Sequence, residues 1–147
     1  MKLVIQRVGQ AKVTSVEDNK VVGEIQKGLF ILLGIKKDDA EKQVEELVNK
    51  LIKLRVMSDE NDKMNLSIMD TKSEVLLVSQ FTLYANTKDG NRPSFIEAEE
   101  PAKAKELYEY FIENLKEKGV KVETGSFGGY MKIETVLDGP VTIVIEN

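Results

Sequence analysis

The chain has 147 residues, of which 41% are hydrophobic and 31% charged, and it carries a formal net charge of −4. This length predicts one domain spanning residues 1–147, with a core of ordinary size. An acidic chain lacks the broad basic surface that grips nucleic acid non-specifically, although recognition of a short nucleic-acid end stays open.

Cysteine and histidine are both absent from the sequence. Their absence excludes disulfides, cysteine-rich zinc sites, Ser-His-Asp and Cys-His triads, and imidazole as a general base. Any catalysis must come from carboxylates, lysine, tyrosine, hydroxyl groups, backbone groups or the substrate, and we assign no cofactor and no metal ligand. Without an apolar run of ~20 residues or a signal peptide, the chain is expected to be cytoplasmic, with no membrane partner.

The opening part of the chain predicts strands joined by short turns. These strands are expected at Lys2–Gly9, Ala11–Glu17 and Val21–Ile25. Arg7 shares a face with Leu3 and Ile5, so its guanidinium either points inward or lies at the surface beside a carboxylate. An inward arginine needs acceptors such as backbone carbonyls. Periodicity alone leaves both positions open.

A strand followed by a helix comes next. The apolar run Gly28–Ile35 predicts a central strand. Asp38 is the expected N-cap of the helix, with Glu41 three residues later as in a capping box. The predicted buried stripe of this helix consists of Val44, Leu47, Val48, Leu51 and Ile52.

The segment Glu74–Tyr84 begins as an apolar run and then turns polar. Its residues Val75–Val78 are typical of a strand that is covered on both faces. Ser79, Gln80 and Thr82 then stand at the C-terminal end of that strand, where α/β proteins tend to place ligand groups. Taken alone, the segment is more typical of a core strand that runs into a turn.

A loop rich in Asn, Gly and Pro is predicted at Ala85–Phe95. Its basic residues Lys88 and Arg92 suit either a phosphate contact or an ordinary exposed loop. The second helix is expected to begin near Glu100 and to stop at Gly119.

The last part of the chain predicts a strand at Val120–Thr124, followed by a glycine-rich loop that lacks the spacing of phosphate-binding motifs. Phe127 and Met131 could open a flat apolar slot for a base. Two further strands, at residues 132–136 and 141–145, are expected around a tight turn at residues 137–140. Base rates favour a trans Gly139-Pro140 bond in that turn.

The order of elements is strands, two strand–helix units, and strands again. This order predicts a single compact α/β domain with a mixed, barrel-like β-sheet and helices covering one side.

Five short strings, in order across nearly the whole chain, carry a family resemblance. They are Val4-Ile5-Gln6-Arg7-Val8, Ser79-Gln80-Phe81-Thr82-Leu83, Arg92-Pro93-Ser94-Phe95, Thr124-Gly125-Ser126-Phe127-Gly128 and Asp138-Gly139-Pro140-Val141-Thr142. Each string is weak alone, but the combination is specific, and it resembles the D-aminoacyl-tRNA deacylase (D-tyrosyl-tRNA deacylase) family.

The resemblance implies an enzyme that hydrolyses the ester joining a D-amino acid to the terminal ribose of tRNA. The implied partners are the 3′ end of a D-aminoacylated tRNA and a second copy of the chain, in a homodimer with each active site at the subunit interface. Mischarged glycyl-tRNA(Ala) is an expected further substrate. The residues that would line the pocket around the ester are Ser79, Gln80, Phe81 and Thr82.

The resemblance assigns further roles outside this segment. Gly139 and Pro140, a Gly-cisPro in the family, would reach from the other subunit and present backbone carbonyls to the α-ammonium of the substrate. Arg7 would hold the orientation of that dipeptide, and the terminal adenine would lie near Phe127 and Met131. One departure is that Leu137 stands where the family's Asn-x-Gly-Pro turn has a polar side chain.

A chain without histidine or cysteine suits a reaction to which the substrate contributes. We expect the 2′-hydroxyl of the terminal adenosine to activate or position the attacking water, while backbone N–H groups around Phe81 and Thr82 stabilise the oxyanion. Thr82 is expected to be a positioning group first and a covalent nucleophile second, because the motif supplies no base for it. The alternatives are a related deacylase of mischarged L-alanyl-tRNA and a non-catalytic module that binds an RNA end or a nucleotide.

Overall fold

Within residues 1–88 and 90–147, which the computed structural model describes, the chain forms eight strands and three α-helices. The strands are β1 (Lys2–Ser15), β2 (Lys20–Ile25), β3 (Gly28–Gly34), β4 (Met57–Ser58), β5 (Met64–Leu66), β6 (Glu74–Ser79), β7 (Val122–Thr124) and β8 (Met131–Glu146). The helices are α1 (Glu41–Ile52), α2 (Ile68–Thr71) and α3 (Pro101–Glu117), and a 3-10 helix covers Phe81–Tyr84. Among the helices of this described part, none is long and apolar enough to cross a membrane. The loop predicted at Ala85–Phe95 includes Asp89, which lies outside the described residues.

Six strands form one mixed sheet that curls almost into a barrel. The long strand β1 pairs antiparallel with β3 through its first half, with β2 through its second half, and with β8 along its other edge. Strands β3, β6 and β7 are parallel neighbours. The ends of the sheet approach each other, because a Cβ atom added to Gly23 of β2 would lie 2.4 Å from the carbonyl oxygen of Thr124 of β7. The predicted mixed, barrel-like sheet is therefore confirmed.

Strand β6 is covered on both faces, as its unbroken apolar run predicts. Val75 and Leu77 belong to the larger core cluster, which lies between the sheet and helices α1 and α3. Leu76 and Val78 belong to a second cluster, together with side chains of β1, β2 and β3. Packing on both faces therefore holds β6 in the centre of the molecule and fixes the position of its polar C-terminal end.

Both long helices pack on the larger cluster, so the prediction that helices cover one side of the sheet is confirmed. Helix α3 begins with Pro101 at its first position, as predicted. The predicted cap of α1 is wrong, because this helix begins at Glu41 with Ala40 as its N-cap residue. Asp38 instead has a left-handed backbone, and the next carboxylate, that of Asp39, binds the buried ammonium group of Met1 at 2.9 Å.

The C-terminal region is one strand, so the two strands and tight turn predicted there are wrong. Strand β8 pairs with β1 from end to end, but the register shifts between the pairs Gln6–Thr142 and Val8–Leu137. Residues 138–141 therefore form a bulge opposite Arg7. A proline has no N–H to give to a ladder and is tolerated at bulges. The Gly139-Pro140 bond within the bulge is cis, as the family resemblance implies and against the base rate for such bonds.

The close approach of β3 and β6 gives a testable prediction at Gly28. A Cβ atom at this position would lie 2.0 Å from the carbonyl oxygen of Glu74, its partner on β6. Because the obstacle is backbone, the strands must move apart, and we expect Gly28→Ala to lower the free energy of unfolding by about 2 kcal/mol. Urea denaturation measures the loss. The control is Gly9→Ala, whose Cβ atom would meet its nearest neighbour at 3.9 Å; equal midpoints for the two variants would contradict the packing.

Candidate active site

The polar end of β6 turns into the 3-10 helix and stays anchored to β3. The backbone N–H of Gln80 donates to the carbonyl oxygen of Leu33 at 2.8 Å, and the side-chain amide of Gln80 donates to Oγ1 of Thr82. The first backbone donor that bonds back into this segment is the N–H of Leu83, to Gln80 O at 3.2 Å. The N–H groups of Phe81 and Thr82 precede that bond, so the turn itself offers them no acceptor.

A cavity of about 650 Å³ opens beside this turn. Of the residues predicted for the site, the structure brings Ser79, Gln80, Phe81, Phe127 and Met131 together in its wall. The remaining wall is largely apolar, and it comes from β6, the residue after β3, the segment before α3, the first turn of α3, the glycine-rich loop and β8. These residues are Ile35, Val78, Phe95, Ala98, Glu99, Glu100, Pro101, Ala104, Gly128, Gly129, Tyr130 and Ile133. The volume and the apolar lining suit a small organic ligand.

Two aromatic pairs shape the cavity wall. The rings of Phe81 and Phe95 meet edge to face with centroids 5.0 Å apart. On the side of α3, the rings of Phe127 and Tyr108 are 5.5 Å apart, and the hydroxyl of Tyr108 donates to the carbonyl oxygen of Leu77 at 2.8 Å. Burial raises the pKa of Tyr108, so the hydroxyl remains protonated at neutral pH and keeps this bond. Phe127 therefore packs against the ring of Tyr108, which is itself hydrogen-bonded to β6.

A second group of predicted residues forms around Arg7, whose guanidinium points inward. Its Nη1 donates to the carbonyl oxygen of Val56 at 2.9 Å and to Oγ of Ser58 at 3.2 Å. Its Nε lies 3.3 Å from the carbonyl oxygen of Asp138 and 3.0 Å from the carboxylate of the same residue. Of the two positions that periodicity leaves open, the structure therefore has the inward one, and it also supplies the carboxylate.

Among the described residues of a single chain, the two groups do not line the same cavity. Gly139 and Pro140 are exposed in the bulge of β8 and are absent from the wall of the cavity at the end of β6. Thr82 is also exposed, beside that cavity rather than in its wall. A site that contains both groups therefore needs atoms from a second molecule.

Several residues of the cavity wall were not predicted from the sequence. Phe95 stands in one of the family strings, but nothing local in the sequence assigns it to a ligand. In the sequence Glu99 is one of several charges before a helix, and the structure distinguishes it by its place in the cavity wall. The backbone N–H of Glu99 donates to the carbonyl oxygen of Ile35 at 3.0 Å, so a contact across 64 residues of chain brings it to the cavity.

The fold and the cavity define an α/β protein with a cavity suited to a small organic group at the C-terminal end of a buried strand. The sequence model of the family described as D-Tyr-tRNA(Tyr) deacylase matches residues 4–146. The chain belongs to this family, and the resemblance drawn from the five strings is confirmed.

Similar proteins cover the whole chain. The D-aminoacyl-tRNA deacylase of Aquifex aeolicus (strain VF5) is 54% identical over 147 residues, which is 100% of this chain and 98% of that protein. The D-aminoacyl-tRNA deacylase of Fusobacterium nucleatum subsp. nucleatum is 53% identical, with 100% and 96% covered. A solved structure described as c-Myc DNA Unwinding Element Binding Protein superposes with a TM-score of 0.92 at 40% identity, with 100% of this chain and 99% of that chain covered.

Proposed function

We propose that this chain is a D-aminoacyl-tRNA deacylase, an enzyme that hydrolyses the ester of D-aminoacyl-tRNA in the cytoplasm and releases the free D-amino acid and tRNA. The observation that carries the proposal is the cavity beside the polar end of β6, whose wall includes Ser79, Gln80 and Phe81, in a chain of this family. The ester would lie at this polar end, and the terminal adenine would lie against Phe127 and Met131.

The active form is a homodimer in which each site uses both subunits. The support is an exposed apolar surface on β8, where Val136 and Val144 are each 60% exposed and Leu137 is 45% exposed. Among the described strands, β8 pairs with β1 alone, along one edge. A long strand with a free edge and such side chains is a typical association surface. Gly139 and Pro140 lie on the same strand, from which they would reach the cavity of the partner. A strictly monomeric protein in sedimentation experiments would contradict this arrangement.

Main-chain atoms discriminate between the D and L forms of the aminoacyl group. The carbonyl groups of Gly139 and Pro140 would accept hydrogen bonds from the α-ammonium, while the ester is held at the end of β6. With both groups fixed, only hydrogen fits against the backbone on one side of Cα, so an L side chain collides there. A D side chain points outward, which admits many residue types, and glycine, including that of glycyl-tRNA(Ala), is also admitted.

The hydrolysis uses water and no protein nucleophile. Water attacks the carbonyl carbon of the ester, the N–H groups of Phe81 and Thr82 stabilise the oxyanion, and the C–O bond to the ribose then breaks. The ribose oxygen leaves as a hydroxyl group with one proton of the water, and the other proton goes to solvent as the carboxylate ionises. A preorganised oxyanion donor typically contributes about 3–4 kcal/mol to lowering the barrier. The 2′-hydroxyl of the terminal adenosine positions the water, and the Gln80–Thr82 contact positions the turn.

The decisive experiment compares the release of tyrosine from D-Tyr-tRNA and L-Tyr-tRNA. We expect rapid hydrolysis of the D ester and only spontaneous hydrolysis of the L ester. Activity confined to mischarged L-alanyl-tRNA would support the related deacylase instead, and binding without turnover of any ester would support a module that binds RNA ends. A D-aminoacyl-tRNA ending in 2′-deoxyadenosine tests the mechanism, since an unchanged rate would exclude assistance by the 2′-hydroxyl.

A further inference from the structure

The cavity wall contains a poorly exposed carboxylate, that of Glu99. Glu99 lines the cavity, yet its side chain is only 8% exposed. One oxygen accepts the backbone N–H of Glu100 at 2.9 Å, and the other lies 3.0 Å from Nζ of Lys103. The bond from Glu100 and the ammonium of Lys103 lower the pKa of Glu99, so the group is ionised at neutral pH.

An ionised carboxylate can accept about four hydrogen bonds, and within the described part of the chain the protein supplies two. The ion pair with Lys103 spans one helical turn and would form equally well at an exposed position. The carboxylate can therefore accept from a further donor in addition to these two. The wall of an otherwise largely apolar cavity is where a bound ligand can bring such a donor.

The charge of the wall restricts the ligand group. Within the described residues, the charged members of the wall are Glu99 and Glu100, and both are acidic. Such a wall repels a phosphate and attracts a neutral group that carries N–H or O–H donors. The nucleoside at the 3′ end of tRNA has such donors in its 6-amino group and its 2′-hydroxyl.

Resting on the proposed function, we propose that Glu99 is a specificity residue that accepts a hydrogen bond from the terminal adenosine, at its 6-amino group or at its 2′-hydroxyl. The carboxylate would then select the nucleoside at the 3′ end of the substrate, while the backbone of the partner selects the chirality of the amino acid. Lys103 holds the carboxylate in place and is not itself part of the cavity wall.

The test measures binding of adenosine, purine riboside and 2′-deoxyadenosine to the full-length wild type and to Glu99→Gln, by NMR titration. Purine riboside lacks the 6-amino group, and 2′-deoxyadenosine lacks the 2′-hydroxyl. We expect Glu99→Gln to weaken adenosine binding about tenfold, as for loss of a hydrogen bond to a charged group. The analogue that lacks the bonded donor should bind the wild type about tenfold more weakly than adenosine does and should be insensitive to the substitution.

One analogue should bind the wild type and Glu99→Gln equally well. The group that this analogue lacks is the donor that contacts Glu99. Equal losses for all three nucleosides, or no loss for any, would overturn the proposal. So would an effect on the hydrolysis of D-Tyr-tRNA without an effect on nucleosides, since that result assigns Glu99 to the aminoacyl group. Glu97→Gln, which alters an exposed carboxylate on the same segment outside this cavity, is the matched control.

Two further measurements distinguish this role of Glu99 from a purely structural role and from the proposed deacylase activity. Urea denaturation of Glu99→Gln reports any loss of stability, which a merely structural pair with Lys103 would cause without discrimination among nucleosides. Nucleoside binding requires no turnover. A wild type that binds adenosine through Glu99 but hydrolyses no ester would refute the proposed function alone, and an active wild type with a silent Glu99→Gln would refute this proposal alone.

Discussion

Replacing Gly139 by alanine is expected to lower the rate of D-Tyr-tRNA hydrolysis by about 100-fold, the effect that a misplacement of about 1 Å has in an active site. The backbone of Gly139 has φ +129°, which L side chains rarely adopt. An added Cβ atom would also lie 2.8 Å from both Cγ2 and N of Val141. The bulge must therefore change shape, and the carbonyl groups proposed to read chirality move with it.

The measurement is kcat/KM for D-Tyr-tRNA and L-Tyr-tRNA with the variant and the wild type. Thr82→Ser should lose less activity, because it keeps the hydroxyl and leaves the main-chain wall intact. Gly9→Ala, on the neighbouring strand and without a close contact, is the control for a glycine substitution as such. Full activity with undiminished preference for the D ester in Gly139→Ala would refute the main-chain account of chirality.

Replacing Arg7 by methionine is expected to lower the free energy of unfolding by about 3 kcal/mol, from lost charged hydrogen bonds and an unpaired buried carbonyl. The carbonyl oxygen that loses its buried donor is that of Val56. The contribution of the Asp138 carboxylate is smaller, because its side chain is 46% exposed. The rate of hydrolysis should fall as well when it is measured without urea, where the variant is folded. The reason is that Asp138, which precedes Gly139, loses its contacts with Arg7.

The controls for Arg7 separate charge from geometry. Arg7→Lys keeps the charge but not the planar fork of donors, so it should restore stability only in part. Lys12→Met breaks the pair of Lys12 with Glu134, which joins the same two strands but is exposed, and it should change stability far less. Normal kcat/KM in folded Arg7→Met would show that Arg7 supports the fold and has no part in orienting the dipeptide.

The parts of the fold that the sequence predicts are those decided by local pattern. The run Val75–Val78 could be assigned to a doubly covered strand because four consecutive apolar residues leave no solvent face. Helix α3 could be bounded because Pro101 and Gly119 mark its ends. The wrong cap of α1 has a tertiary cause, since the carboxylate of Asp39 is bound to the ammonium of Met1, far away in the sequence.

The site could be predicted only where the family strings carry it. The Gly139-Pro140 pair is typical of a turn. Only the pairing of β8 with β1 shows that it forms a bulge within a strand. The inward direction of Arg7 depends on acceptors from Val56, Ser58 and Asp138, which no periodicity within β1 reveals. Glu99 was missed because its place in the cavity wall depends on tertiary contacts and not on residue type.

The separation of the two groups of site residues in one protomer has a genetic consequence. In the proposed dimer, a subunit damaged at Gly139 still offers an intact cavity, and a subunit damaged in the cavity still offers an intact bulge. A mixed pair of such subunits would assemble one site from sound parts and another from both lesions. Two alleles that each encode an inactive homodimer would then complement each other in the same cell.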